Sequence, residues 1–197
     1  EKTGDINTKT VIFAADEAAA KTLEGVMKND PEGGLYLWDY YRNNISDTDD
    51  DEYTDFEKLV RCIRENRTFI IPQLSYDGSA YVKGGTIIKD GEYAGSADEN
   101  DIRSVKWLKG KAKGEIVSVG NVSFKIKKEK IKITNENGVC VIDINADCTA
   151  ESGDYEKYSN DDVETVIKEN LENTINKARK LNADFLAVGI DNGSIKI

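Results

Sequence analysis

The run Asp47-Thr48-Asp49-Asp50-Asp51-Glu52 crowds oxygen ligands together at a spacing that invites a cation. Asp47, Asp49 and Asp51 fit the first three ligand positions of an EF-hand calcium loop, which also needs a glycine at its sixth position and a bidentate glutamate at its twelfth. Those places hold Glu52 and Lys58, so the motif fails and the run reads as an acidic loop. Histidine is absent. Its absence removes the commonest general base, the usual zinc ligand and every Ser-His or Cys-His nucleophile pair. Cys62, Cys140 and Cys148 lack metal-ligand spacing. The latter two share one alternating run, where a continuous strand would hold them roughly 26 Å apart, beyond disulfide reach. All three read as small buried hydrophobes. The glycines form no dinucleotide or phosphate loop. The adjacent pair Asp161-Asp162 would suit a small-molecule-binding or hydrolase-like module using acidic residues, but the dipole at a helix start accounts for it better. The residues therefore predict a protein that is not an enzyme and holds no cofactor or metal.

What the chain offers instead is a surface. Its net charge of −10 argues against nucleic acid as a partner, because phosphate neutralisation needs a dominant basic face. Between residues 103 and 132, however, ten basic residues face only Glu115 and Glu129, a local sum of +8. Lysines of this kind protect a sheet edge, or meet anionic headgroups or an acidic partner. Within the strip, Ile102 and Val105 are expected to turn toward the core, with Trp107 unable to share their face fully. Tryptophan flanked by Lys106, Lys109 and Lys111 suits an interface anchor, or packs over a neighbouring strand. Arg103, one turn earlier, is placed to stack on the indole. Arg103, Lys106, Trp107, Lys109 and Lys111 are the candidate interface.

The elements that position these residues are legible from periodicity. The first portion reads as a strand from Thr10, an alanine-rich helix to Lys28, an aromatic helix over 35–45 and a helix after a Thr54–Glu57 capping box. Phe56, Leu59, Val60 and Ile63 form the core stripe of that last helix. A strand over 68–74 follows, which Pro72 places at an edge or ends early. In the next strand Val82, Thr86 and Ile88 share one parity and Ile87 the other. Lys89-Asp90-Gly91-Glu92 then predicts a two-residue hairpin turn. Ser96 with Glu99 reads as a capping box for a helix over 102–108. Strands over 115–119 and 122–133 come next, and the latter needs a bulge near Lys128, where its apolar parity switches. Asn137-Gly138 predicts a hairpin into the run Cys140, Ile142, Ile144, Ala146, Cys148. Ser159 or Asn160 caps a long helix whose stripe is Val163, Val166, Ile167, Leu171, Ile175, Ala178 and Leu181. A buried strand over 185–190 closes the reading. The expected fold is α+β: two packed lobes, 1–75 and 76–197, the second a mostly antiparallel curved sheet covered by the long C-terminal helix.

Four motifs in order extend this reading. They are the hairpin and helix leading to Trp107-Leu108-Lys109-Gly110-Lys111, then Gly114-Glu115-Ile116-Val117, then Val122-Ser123-Phe124-Lys125-Ile126, and finally Ala183-Asp184-Phe185-Leu186-Ala187-Val188-Gly189. Together they resemble the Ger(x)C family, the C-subunit lipoproteins of spore nutrient germinant receptors. The chain departs from the family's pattern where Ser96 and Ala97 follow the hairpin glycine, and in the short ending Ser194-Ile195-Lys196-Ile197. The resemblance implies a non-catalytic subunit at the outer face of the inner spore membrane. It implies assembly with integral-membrane receptor subunits, and a lipid anchor on a cysteine upstream of a first domain. On that comparison the chain is a truncated ectodomain, with residues 1–75 the middle lobe and 76–197 the C-terminal domain.

Overall fold

The computed structural model of the protein describes residues 12–15, 19, 21, 22, 24, 56–76, 80–137, 139–153, 157–189 and 195–197. The acidic run 47–52, the aromatic helix over 35–45, Thr54, Thr10, Gly138 and Ile190 lie outside the described residues. Of the alanine-rich segment Ala19, Lys21, Thr22 and Glu24 are described, and all are helical. The chain divides into two compact units, residues 1–98 and 99–197.

The first unit carries a four-stranded sheet in the order β1 (Ala14–Ala15), β2 (Phe69–Tyr76), β3 (Ala80–Lys89), β4 (Glu92–Ala97), with α1 (Phe56–Arg64) preceding β2. β1 runs parallel to β2, and the other pairings are antiparallel. The boundary expected at 75/76 falls within β2, one residue before its end, and β2 pairs with β3 from Phe69↔Ile88 to Tyr76↔Ala80. Pro72 does not end β2, which continues to Tyr76, and β1 flanks β2 from Gln73 on. Pro72 pairs with Gly85 and Leu74 with Val82, so β3 holds one extra residue there, with Gly84 at φ 61°. This bulge carries the break in the ladder that a proline requires. It also corrects the expected parity. Cross-strand partners share a face, so Val82, opposite Leu74, faces with Ile87, opposite Ile70, and Thr86 and Ile88 face away. Asp90 (φ 52°) and Gly91 (φ 79°) make the expected hairpin turn.

α1 is oriented differently from its stripe. Phe56, Val60 and Ile63 are 42%, 37% and 41% exposed, and Cys62 is fully buried instead. An apolar period marks a face but not the partner that must cover it. The end of the helix is fixed by backbone bonds. Asn66, at φ 51°, donates to the Ile63 carbonyl and Arg67 to that of Cys62, the pattern of a left-handed C-terminal cap.

The second unit carries the sheet β5 (Ile116–Val119), β6 (Val122–Glu136), β7 (Val139–Ser152), β8 (Ile195–Lys196), in that order, with helices α2 (Glu99–Leu108) and α3 (Asn160–Lys180). β5, β6 and β7 form an antiparallel meander, and β8 adds parallel to β7 at Cys140 and Val141. The expected bulge falls at Lys127. Ile126 pairs with Cys148 and Lys128 with Asp147, so one extra residue brings Ile131 and Ile133 onto the face of Phe124 and Ile126. None of the three cysteines forms a disulfide; Cys62 is buried, while Cys140 and Cys148 are half-buried. Burial, and then the nearby Asp184 carboxylate, push the Cys140 thiol above its ordinary pKa.

α3 begins at a capping box: Ser159 Oγ accepts from the Asp162 N–H, and Asp162 Oδ2 accepts from the Ser159 N–H at 2.7 Å. Its stripe packs as expected, with Val163, Ile167, Leu171, Ile175 and Ala178 buried. Asn182 (φ 49°) closes it, with Ala183 N–H donating to the Ala178 carbonyl. The strand expected over 185–190 is absent among the described residues. The Asp184 carboxylate accepts from the N–H groups of Val188 (3.3 Å) and Gly189 (2.7 Å), and Ala187 and Gly189 adopt positive φ. A carboxylate that bonds its own downstream backbone folds the chain into turns and competes with a ladder. Phe185 and Leu186 remain buried, which is why the segment reads as strand.

Two glycines separate strain from crowding. A Cβ at Gly84 would lie 2.1 Å from the Ala97 carbonyl oxygen, whereas one at Gly110 (φ 66°) would meet nothing within 4 Å. Gly110→Ala should therefore cost only the left-handed penalty, about 1 kcal/mol. Gly84→Ala adds a backbone collision and should cost roughly 3 kcal/mol or more. Urea midpoints of the two variants check the order.

Candidate functional site

α2 carries the candidate interface. Glu99 and Asp101 in its first turn and Lys106 in its last complement the helix dipole. Ser96 does not cap the helix as expected: it lies in β4, where its hydroxyl is 3.0 Å from that of Tyr93, and the helix starts at Glu99. At the other end, Gly110 N–H donates to the Trp107 carbonyl and Lys111 N–H to that of Lys106. With Gly110 in the left-handed region this is a Schellman cap. The segment Trp107-Leu108-Lys109-Gly110-Lys111 is thus a helix ending: Trp107 and Leu108 are its last turn, Lys109 its cap, and Gly110 the residue that reverses the chain.

The buried face of α2 is Asp101, Ser104, Val105, Trp107 and Leu108. This corrects the sequence reading in two ways. Trp107 is only 4% exposed, so the indole belongs to the core and offers no open anchor. Ile102, expected in the core, is half-buried. The core face has a polar centre, which a count of apolar spacings does not register. Its partners lie on α3. The Asp101 carboxylate pairs with the Lys177 ammonium, and Thr174 Oγ1 lies 2.9 Å from Ser104 Oγ and 2.9 Å from the Asn170 carbonyl oxygen. The shared three-residue spacing of Asp101 with Ser104 and of Thr174 with Lys177 was the signal available in the sequence.

The opposite face carries Arg103 and Lys106, each with carboxylate partners. Arg103 reaches Glu99 (3.7 Å) and Glu115 (3.9 Å), and Lys106 binds Glu115 at 2.5 Å. Arg103 thus holds carboxylates in place of the indole. Arg103 and Lys106 are brought together at Glu115, while Lys109 and Lys111 flank Gly110 past the helix end. The lysines of β6 have acidic neighbours from outside the strip. Lys125 and Lys127 reach Glu151 at 3.9 and 3.2 Å, and Lys128 and Lys132 stand across the ladder from Asp147 and Asp143. The sum of +8 along the chain is therefore not a surface of +8.

Among the described residues no three metal-ligating groups converge. Of the acidic pair, Asp162 is engaged in capping: the Ser159 backbone N–H, then its hydroxyl, hold the Asp162 carboxyl below its ordinary pKa. A groove of about 630 Å³ opens between β7 and the first half of α3. Its lining is mixed: Ile142, Ile144, Val163 and Ile167 contribute apolar surface, and Asp143, Asp147, Glu164 and Lys168 contribute charge.

With this geometry in view, comparison with known proteins is decisive for kinship. The family model described as spore germination B3/GerAC-like, C-terminal, matches residues 83–191, more than half of the chain. The chain belongs to this family. Membership ties it to spore germination. No curated protein matches it. Among solved structures, the crystal structure of the GerBC protein aligns at a TM-score of 0.64 and 18% identity, over 90% of this chain and 56% of that one. The fold is therefore GerBC-like, and the chain spans a little over half the length of that protein. The family match runs from β3 through α3 to the turn at Asp184, so it includes all three features that shape α2: the Gly110 cap, the buried Asp101 and its partner Lys177.

Two outcomes follow. Lys177→Met leaves the Asp101 carboxylate buried without its ammonium. It should cost roughly 2 kcal/mol, below the ~3–5 of a fully buried pair because Lys177 stays one-third exposed. Adding Asp101→Asn should recover part of that loss in a double-mutant cycle by chemical denaturation. Asp162 supplies a pH dependence. A carboxylate with a depressed folded pKa stabilises fully above its unfolded value, near 3.9, and loses that contribution as pH falls through the folded value. The gap in urea midpoint between the native chain and Asp162→Asn should therefore narrow on acidification.

Proposed function

We propose that this chain is part of the C subunit of a spore nutrient germinant receptor, a lipoprotein that acts by assembly with integral-membrane subunits and not by catalysis. The observation that carries the reading is the family match over residues 83–191. The subunit works at the outer face of the inner spore membrane, held by a lipid anchor outside the sequence described here.

Arg103, Lys106, Lys109 and Lys111 give α2 a cationic outer face, now without Trp107, and this face is the contact surface for the membrane or receptor partners. Each cation close to an anionic leaflet contributes on the order of 1 kcal/mol. Several together orient a tethered domain, and they do so without holding it alone, which suits a protein that also needs a lipid. Lys106 has the most structural role of the four, since it binds Glu115 just ahead of β5.

The triple change Arg103→Gln, Lys109→Gln, Lys111→Gln spares Lys106 and should leave the melting temperature unchanged. It should weaken binding to phosphatidylglycerol vesicles several-fold, with the largest difference at low salt. In spores, deletion of the gene should abolish the response to at least one nutrient. A deletion strain that answers every nutrient normally overturns the receptor role. A triple variant that binds and germinates normally moves the contact surface away from α2 and leaves the receptor role standing.

A further inference from the structure

The two helical cations of the α2 face share one carboxylate. Lys106 Nζ lies 2.5 Å from Glu115 Oε1, and Arg103 Nε lies 3.9 Å from Glu115 Oε2, so each carboxylate oxygen serves one cation. Glu99 adds a looser contact, 3.7 Å from the Arg103 guanidinium and 70% exposed. Two cations thus meet two carboxylates, and this part of the face carries no net charge. Glu115 is held in place by its backbone. Its N–H donates to the carbonyl of the fully buried Ala112, and its own carbonyl accepts from the Ile126 N–H, both at 2.9 Å. On the other side, Asp101 and Lys177 fix the rotation of α2. The fold therefore presets the contact, and with the Glu115 side chain only 23% exposed it is screened less than an ordinary surface pair.

An anion that uses Arg103 and Lys106 must take the place of this carboxylate. What it replaces sets its chemistry: a singly charged group with two terminal oxygens side by side. The phosphodiester of an anionic lipid headgroup supplies that group. Lys109, Lys111 and Lys113 follow directly in the chain, which favours a surface carrying many such groups over a single soluble anion.

We propose that Glu115 is an autoinhibitory contact, which occupies Arg103 and Lys106 in the free protein and yields them to lipid phosphodiesters at an anionic leaflet. The inference rests on α2 being the contact surface. The two helical cations join binding only at the membrane, where many phosphodiesters compete with one carboxylate. Binding then rises steeply with the fraction of anionic lipid, and weakly anionic membranes are refused.

The test uses the full chain and phosphatidylcholine vesicles with a low or a high fraction of phosphatidylglycerol. At the low fraction Glu115→Gln should raise affinity about fivefold, the effect of one basic residue gained at the surface. Glu99→Gln makes the same change of charge at the looser contact and should raise it less. Glu136→Gln, at an exposed position at the far end of β6, should leave it unchanged. Lys106→Gln should hardly alter binding of the native chain at the low fraction, yet should remove the gain made by Glu115→Gln. Without vesicles, acetylation of the Lys106 amine should be faster in Glu115→Gln than in the native chain, a measure of occupancy alone. Equal gains from Glu115→Gln and Glu99→Gln, or a gain that survives Lys106→Gln, would show that only net charge counts and would overturn the proposal. Binding that falls in the triple variant but ignores Glu115→Gln overturns the autoinhibitory contact and leaves α2 as the contact surface. Binding indifferent to every one of these changes removes both.

Discussion

The polar contact between α2 and α3 sets the rest of the second unit. A carboxylate that is 4% exposed at Asp101 is costly unless it is paired, and Lys177 is the ammonium that pairs it. Ser104 and Thr174, both fully buried, meet one turn away. Apolar surfaces slide and rotate against one another at little cost, whereas a buried ion pair beside a hydroxyl pair fixes rotation and register together. Once α2 is fixed in this rotation, Trp107 enters the core, and Arg103 and Lys106 can only face outward. Once α3 is fixed against α2 and β5, its first half faces β7 across the groove. The outward cations and the groove are two consequences of one constraint.

The parts of this architecture that were legible in sequence share a property: their signals are local. The parity switch near Lys128 required a bulge, and the bulge is at Lys127. Asp90-Gly91 required positive φ, and both residues have it. The α3 stripe needed no partner to be recognised. The failures share the opposite property. Trp107 could not be placed because the centre of the α2 core face is an aspartate and a serine, whose partners are seventy or more residues away. The exposed stripe of α1 and the buried Cys62 show the same limit, since a period does not name what covers it. At 185–190 the apolar content was read correctly and the geometry was not, because the single Asp184 side chain captures two backbone N–H groups.

The motifs that carried the family resemblance turn out to be geometric. Gly110 reverses the chain after α2, Asp184 organises the turn after α3, and Val122, Phe124 and Ile126 are the buried positions of β6. Of these residues, Ile126 also lines the groove beside α3. Residues that specify a scaffold can be read without knowing what the scaffold meets, and for the same reason they do not identify its partners. The candidate site of this protein is therefore legible only as surface. Of five residues singled out in sequence, four lie on or just past the outer face of α2 and the fifth lies inside.

Charge counted along a chain and charge presented in space differ for a specific reason in this fold. An antiparallel hairpin brings into register residues far apart in sequence, so the lysines of β6 are opposed by acids of β7 that no window around β6 contains. A helix followed by a Schellman cap has no such partner strand. On α2, Arg103 reaches Glu99 and Glu115, and Lys106 binds Glu115. The distinction assigns the two regions different uses. On the hairpin the charges are part of strand pairing and specify which segment can lie beside which. On α2 they point away from the core, where the reach of a charge is about one screening length, ~8 Å at physiological salt.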